Sequence, residues 1–235
     1  MEKDESKVPL VSIICVTYNA EKHIKHFLKN IALYKSPFVE LVIIDGQSTD
    51  NTVTILENNR ALINFFLSEP DKGIYDAMNK AANVAKGKWL YFLGADDSIL
   101  PDFGRFLNYL KDDSAIYYGN VVQNGKRIIS ATNKKNIARY NICHQAIFYP
   151  SQVFKKYKYD LAYKVNADYH LNILCFGDHN LKFVYHDLNI ADHAPGGYSA
   201  NNVDVRFNKE KTTLIRQNLG LKTFIKYLWW KLKNG

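Results

Sequence analysis

Cysteine is scarce in this chain, with three residues among 235. Cys15, Cys143 and Cys175 are odd in number, far apart and set in apolar runs, so neither a disulfide framework nor a zinc-binding spacing is offered. They read as buried thiols of a reducing compartment. No apolar stretch approaches about 20 residues, which argues against a membrane-spanning helix. Met1 to Lys7 are charged where a signal peptide would need an apolar core, so a cytoplasmic location is expected. Glycine is missing from Val16-Thr17-Tyr18-Asn19-Ala20, where a dinucleotide-binding fingerprint would need it, and no Gly-x-x-x-x-Gly-Lys occurs to form a P-loop. The glycine-rich basic loop of a sugar nucleotidyltransferase is missing from the same place. With no internal repeat, low-complexity tract or linker, one domain is expected.

Hydrophobic residues make up 47% of the chain, enough for a proper core. Tyrosine is abundant at 16 residues, a side chain that combines an apolar ring with a polar tip. The net charge of +8 suits anionic partners such as phosphates, anionic lipid or nucleic acid. The basic residues are dispersed except near the C-terminus, which speaks against a nucleic-acid partner.

Val11 to Val16 is a short apolar run of the kind buried on both faces of a parallel sheet. Asn19 is placed to cap a helix with Ile24, Phe27, Leu28 and Ile31 on one face. The pattern recurs: a strand over Val39 to Ile44, a short helix from about Asp50, a strand over Ile63 to Leu67, and a helix from about Ile74 to Ala85 that Gly87 stops. A fourth strand spans Trp89 to Leu93. Alternating strands and helices predict a parallel sheet whose strand ends share one rim, where ligands bind. After a helix near Pro101 to Lys111 the pattern becomes mixed. Strands over Ala115 to Gln123 and Lys126 to Ser130 flank Asn124-Gly125, a hairpin signal. A strand from His144 to Tyr149, a helix from Ala167 to Phe176 and a strand from Leu181 to Ile190 follow, then the loop Ala194-Pro195-Gly196-Gly197-Tyr198-Ser199.

The loops after strands one, two and four should therefore converge, bringing together Thr17-Tyr18-Asn19, Asp45 and Asp96-Asp97. Asp45 is a candidate partner for a base or ribose hydroxyl, although Asp45-Gly46 is also ordinary turn chemistry. Adjacent carboxylates at Asp96 and Asp97 favour a hard cation, Mg²⁺ or Mn²⁺, that completes its shell from substrate phosphates. Capping of the next helix by Asp97-Ser98 is the structural alternative.

Four segments in order resemble the family 2 glycosyltransferases of the GT-A fold: Val11 to Asn19, Val42 to Asp50, Glu69 to Asn79 (Glu-Pro-Asp-Lys-Gly-Ile-Tyr-Asp-Ala-Met-Asn) and Leu93 to Asp97. The resemblance is close over about the first hundred residues and looser to about Ser199. It implies a Rossmann-like, mostly parallel sheet flanked by helices, with a mixed acceptor-side half. As a division of residues 1–235 it implies a nucleotide-sugar-binding half over about 8–112, an acceptor-side half over about 113–200, and C-terminal helices from about 201. It further implies that Thr17, Tyr18 and Asp45, with the neighbouring Asn19, hold the nucleoside, that Asp71, Lys72 and Gly73 lie beside the nucleotide or donor sugar, and that Asp97, helped by Asp96, ligates Mn²⁺ or Mg²⁺. Ala95 stands where the family often has an acidic residue, so the metal would rest on Asp97, Asp96 and the substrate.

Asn166-Ala167-Asp168-Tyr169 matches the place where the family carries its catalytic base, which makes Asp168 the expected base; a first-turn acid stabilised by the helix dipole is the alternative. His144 and Gln145 would line the acceptor site. His193 would touch metal or phosphate, with Gly196 and Gly197 in a lid that excludes water. The expected reaction is transfer with inversion from a nucleotide-diphospho-sugar, UDP- or dTDP-linked, to a saccharide or polyprenyl-linked acceptor in bacterial surface polysaccharide assembly. A sugar nucleotidyltransferase and a non-catalytic carbohydrate-binding protein on the same fold are the alternatives.

The C-terminal stretch puts Leu221, Phe224, Ile225, Leu228, Trp229 and Leu232 on one helical face with Lys222, Lys226 and Lys233 off it. Such a helix either lies peripherally on a membrane, at its inner face, or packs on its own domain or a second subunit.

Overall fold

The computed structural model describes residues 8–196 and 202–234. Its first half follows the alternation of apolar runs. Strands β1 (Val11–Thr17), β2 (Val39–Asp45), β3 (Phe65–Ser68) and β4 (Trp89–Phe92) pair in parallel in the order β3-β2-β1-β4. Every residue of β2 is buried, as a strand covered on both faces requires. The connections carry helices α1 (Glu21–Ala32), α2 (Thr52–Glu57) and α3 (Ile74–Val84). Helix α1 buries Ile24, Phe27, Leu28 and Ile31, the stripe set by their spacing.

Asn19 does not cap α1. The residue before the helix is Ala20, without a side-chain cap, and Asn19 sits at φ 51° with Oδ1 accepting from the Thr49 N–H at 2.9 Å. Nor does Gly87 stop α3, which already ends at Val84. A Cβ at Gly87 would collide with the Ser12 backbone, and the Gly87 N–H donates to Ser12 Oγ at 2.7 Å. This glycine serves close approach of chain to strand.

The second half is mixed. It adds β5 (Ser98–Ile99), α4 (Asp102–Leu107), β6 (Ala115–Gln123), β7 (Lys126–Ile128), α5 (Lys134–Ile137), β8 (Ile147–Pro150), α6 (Gln152–Lys156), α7 (Ala167–Gly177) and β9 (Lys182–Asp192). Among the described residues the strands form one sheet in the order β3-β2-β1-β4-β8-β6-β9-β5, with β7 paired to β6. Strand β8 is antiparallel to β4 and β6, whereas β6 and β9 are parallel. Asn124 and Gly125 turn the β6–β7 hairpin with both φ positive, at 52° and 69°, the backbone of a tight hairpin. The strand expected from His144 begins only at Ile147, because His144–Ala146 closes a 3-10 turn through the Ala146 N–H and the Cys143 carbonyl.

Aromatic rings knit the two halves. Tyr91 on β4 faces Phe148 on β8 with ring centroids 4.4 Å apart, and Phe106 of α4 stacks on Phe148 at 4.8 Å. The buried Tyr91 hydroxyl donates to the Gln145 carbonyl at 2.9 Å, so this core cluster fixes the turn that carries Gln145. All three thiols are free; Cys15 and Cys175 are buried, and Cys143 is half-buried with Sγ 2.8 Å from Gln145 Oε1.

Helices α8 (Val205–Leu219) and α9 (Leu221–Asn234) complete the described chain. Asp204 caps α8 through Oδ1 and the Phe207 N–H, while its Oδ2 accepts from the Val165 and Asn166 N–H groups. One residue thereby ties α8 to the entry of α7. Among the described residues no helix is long and apolar enough to cross a membrane.

Candidate active site

Parallel pairing aligns the ends of β1 and β2, where Thr17 stands opposite Asp45. Asp45 is fully buried, and four donors satisfy its carboxylate. Thr17 Oγ1 and Ser48 Oγ reach Oδ1 at 2.9 and 2.5 Å, and Ser68 Oγ and the Ser48 N–H reach Oδ2 at 2.7 and 2.9 Å. The carboxylate thus gathers the ends of three neighbouring strands. Asn19 binds the same two loops together, its N–H donating to Ser48 Oγ at 2.8 Å.

Beyond this anchor opens a cavity of about 850 Å³, lined by Thr17, Tyr18, Asp71, Lys72, Gly73 and Tyr75, among others. Tyr18 is 66% exposed, an open ring face at its wall. Asp71 Oδ1 accepts from the Gly73 N–H at 2.7 Å, and Gly73, at φ 110°, turns the chain into α3. A Cβ on Gly46 would strike the Asp71 carboxylate, so the glycine after Asp45 makes room for Asp71.

A second cluster forms where the loop after β4 meets the end of β9. Asp97 is only 1% exposed. Its Oδ1 accepts from His193 Nδ1 at 3.0 Å and the Ala194 N–H at 2.9 Å, and its Oδ2 from Gln145 Nε2 at 2.8 Å and the Gly94 N–H at 2.9 Å. It does not cap α4, which begins five residues later. Burial pushes this carboxyl up, but the bonds from His193, Gln145 and Ala194 outweigh it and hold the pKa below the usual range. The hydrogen bond to Asp97 raises His193 in turn, against burial, so both shifts favour the charged pair. Asp96, next in the chain, is exposed.

Among the described residues no group of three or more His, Cys, Asp or Glu side chains surrounds a point that could hold a metal. The candidate ligands that lie together are Asp97 and His193, with Asp96 adjacent. A set of two or three protein ligands fits a hard divalent ion that draws the rest of its shell from phosphate and water, and does not fit a closed structural site.

Asp168 lies in the first turn of α7 and is buried. Oδ1 accepts from the Tyr169 N–H at 2.8 Å and lies 3.1 Å from the Tyr75 hydroxyl; Oδ2 accepts from Asn141 Nδ2 at 2.8 Å. His144 Nδ1 is 3.8 Å from Oδ2. Burial raises the Asp168 pKa, with His144 and the hydrogen bonds of Tyr169, Tyr75 and Asn141 opposing it. Burial also lowers His144, despite the Asp168 charge. Tyr75 is the link between this carboxylate and the cavity, since it is one of the residues that line the wall.

The expected residues thus fall into three groups: Thr17, Tyr18, Asp71, Lys72 and Gly73 on the cavity with Asp45 and Asn19 behind it; Asp97, Gln145 and His193 together; and Asp168 with His144. Gln145 joins the second group through Asp97 and His193, its Nε2 also 3.0 Å from His193 Nδ1. Gly196 adopts φ 83°, and Gly197 lies outside the described residues. Tyr75, Ser48 and Ser68 had no assigned role, although Tyr75 and Ser48 sit inside the recognised segments. Nothing in the sequence around Asn141 signalled its contact with Asp168.

This arrangement of sheet and rim is that of the GT-A glycosyltransferases. S. aureus TarS 1-349 in complex with UDP-GlcNAc matches with a TM-score of 0.71 at 19% identity, over 87% of this chain and 65% of that one. The mannosyltransferase PcManGT from Pyrobaculum calidifontis, in complex with GDP-Man and Mn²⁺, matches with a TM-score of 0.62 at 17% identity, over 97% of this chain and 65% of that one. The chain therefore spans somewhat less than two thirds of each of these solved chains. Residues 12–173 match the model of glycosyl transferase family 2, and the chain belongs to that family. It is a glycosyltransferase. Over 246 aligned residues, 95% of this chain and 92% of the relative, it is 33% identical to the PGL/p-HBAD biosynthesis glycosyltransferase of Mycobacterium tuberculosis.

Proposed function

We propose that this glycosyltransferase moves a sugar, with inversion, from a UDP- or dTDP-linked donor to the hydroxyl of a saccharide or polyprenyl-linked acceptor in bacterial surface glycan assembly, in the cytoplasm. The observation that carries the reading is Tyr75, which lines the cavity and touches the buried Asp168 carboxylate. One side chain thereby joins the cavity to a buried carboxylate. The complexes of the structural neighbours with UDP-GlcNAc and with GDP-Man and Mn²⁺ support the donor class, and the mycobacterial relative supports the glycan setting.

In this reading residues 8–112 hold the donor and residues 113–200 supply the acceptor side. The Tyr18 ring stacks on the base, and Thr17, oriented by Asp45, meets the nucleoside. Asp71 and the backbone at Gly73 contact the donor, and Lys72 offsets charge on the departing diphosphate. Asp97, with His193 and Asp96, would hold Mn²⁺ or Mg²⁺. Bound there, the ion supplies electrostatic stabilisation of the diphosphate. Gln145 keeps Asp97 and His193 in register, and His144 lines the acceptor side.

Asp168 takes the proton of the acceptor hydroxyl as its oxygen attacks the anomeric carbon. The bond from that carbon to the diphosphate oxygen breaks on the opposite face, releasing the nucleoside diphosphate and inverting the configuration. Burial suits Asp168 to this task, because a raised pKa strengthens the carboxylate as a base. The test is NMR of the product's anomeric centre from an α-linked nucleotide sugar. A β-linked product formed by the wild type and not by Asp168→Asn is expected; an α-linked product contradicts inversion.

A further inference from the structure

The C-terminal helix is apolar on two opposite faces, and the fold uses one of them. Tyr227 of α9 is buried and stacks near Trp230, with ring centroids 6.0 Å apart. Trp230 in turn meets Tyr140 edge-on at 5.7 Å and lies under the Arg139 guanidinium. The Lys211 ammonium of α8 sits over both Tyr169 and Tyr227 and donates to the Arg139 carbonyl. This side of α9 is docked.

The other side is not. Leu221 is 65% exposed, Ile225 46%, Trp229 65% and Leu232 84%. At about 100° per residue these four fall within an arc of about 80°, centred nearly opposite Tyr227 and Trp230. Lys222, Lys226 and Lys233 border one edge of the stripe, the other edge passes through the half-buried Leu228 and Phe224 before Lys231, and α9 contains no acidic residue. A helix docked against its own domain gains nothing from a second apolar stripe, which leaves Trp and Leu in water.

We propose that this outward stripe seats the enzyme on an anionic bilayer surface. The stripe would enter the boundary between headgroups and acyl chains, with the Trp229 indole at headgroup level and the lysines against lipid phosphates. A membrane is favoured over a protein partner because the apolar strip is one helix wide and bordered by charge of a single sign, which complements an anionic plane. The placement also serves the acceptor. Tyr140, packed on Trp230, immediately precedes Asn141, whose amide holds the Asp168 carboxylate, so α9 is fastened beside the acceptor side of the site. The proposal builds on the lipid-linked-acceptor reading, and its test is independent of transfer.

The experiment is co-sedimentation of the full chain with phosphatidylcholine vesicles, with and without phosphatidylglycerol. Comparison is made with the triple variant Ile225→Ser, Trp229→Ser, Leu232→Ser and with Lys222→Glu, Lys226→Glu. Expected are binding that needs phosphatidylglycerol and weakens with salt, and a loss of about tenfold or more in each variant. Nucleotide-induced thermal shifts should be unchanged, which separates failure of this surface from failure of the donor site. Absent wild-type binding, equal binding to both vesicle types, or retained binding by the triple variant would overturn the proposal. So would a concentration-dependent dimer abolished by the triple variant, which would assign the stripe to a second copy.

Discussion

The Asp168 carboxylate lies 3.1 Å from the hydroxyl of Tyr75, a residue that lines the cavity at the strand ends. Replacing Asp168 by Asn should leave nucleotide binding near wild type and lower kcat by about 10² to 10⁴. The variant should also keep its thermal stability. Burial raises the Asp168 pKa, so the folded state binds this proton more tightly than the unfolded chain does, and stability falls as pH rises through that window. An uncharged amide removes the cost at neutral pH. A Tm well below wild type, or turnover near wild type, would contradict the assignment.

Activity should fall on acidification at a pH above the ordinary carboxylate range, because the base must be ionised and its pKa is raised. The Asn141 amide stabilises the ionised form, so its loss raises the pKa further. The acid limb of the kcat/KM profile should therefore move to higher pH in Asn141→Ala. An unmoved or lowered limb would detach Asn141 from the titrating group.

Asp97→Ala should abolish metal-dependent nucleotide binding and lower transfer by at least about 100-fold. Gln145→Ala should weaken both more mildly, since Gln145 Nε2 donates to the Asp97 carboxylate that also holds His193. Isothermal titration with nucleotide, with Mn²⁺ and with EDTA, separates the effects. Metal-dependent binding that survives Asp97→Ala would remove Asp97 from the site.

Two glycines should behave differently on conversion to alanine. At Gly46 the new methyl meets the Asp71 side chain, which can swing aside, so nucleotide affinity should drop about tenfold, or about 1.4 kcal/mol, with little loss of stability. At Gly87 it meets the Ser12 backbone, which cannot, so about 1–3 kcal/mol of stability should be lost. Thermal melts paired with nucleotide titrations check both, and the reverse pattern would contradict the placement of Asp71.

The parallel half of the fold was legible because its strands are continuous apolar runs, and because the four buried residues of α1 recur at helical spacing. What stayed hidden depended on tertiary contacts. Asn19 has a good capping side chain, yet Thr49 and Ser48 claim it across two loops. His144 opens an apolar run, yet the Tyr91 hydroxyl and the Asp97 carboxylate draw Gln145 into a turn. Asp96 and Asp97 read as a pair, but the fold buries one against His193 and exposes the other, a split that no local pattern encodes. The motif singles out Asp168 as the expected base; its partners Tyr75 and Asn141 come from segments 93 and 27 residues away.

The most direct test of the proposed donor site is a thermal melt of the full chain with UDP, dTDP or GDP, in Mn²⁺ and in EDTA. A ligand selective for the folded state at a hundredfold excess over its Kd adds about 2.7 kcal/mol, or about 5–10 °C for a chain of this size. A rise of that order with one nucleotide, present in Mn²⁺ and lost in EDTA, is the predicted result. No rise with any of the three, or the same rise in EDTA, would contradict the metal-assisted nucleotide-sugar site.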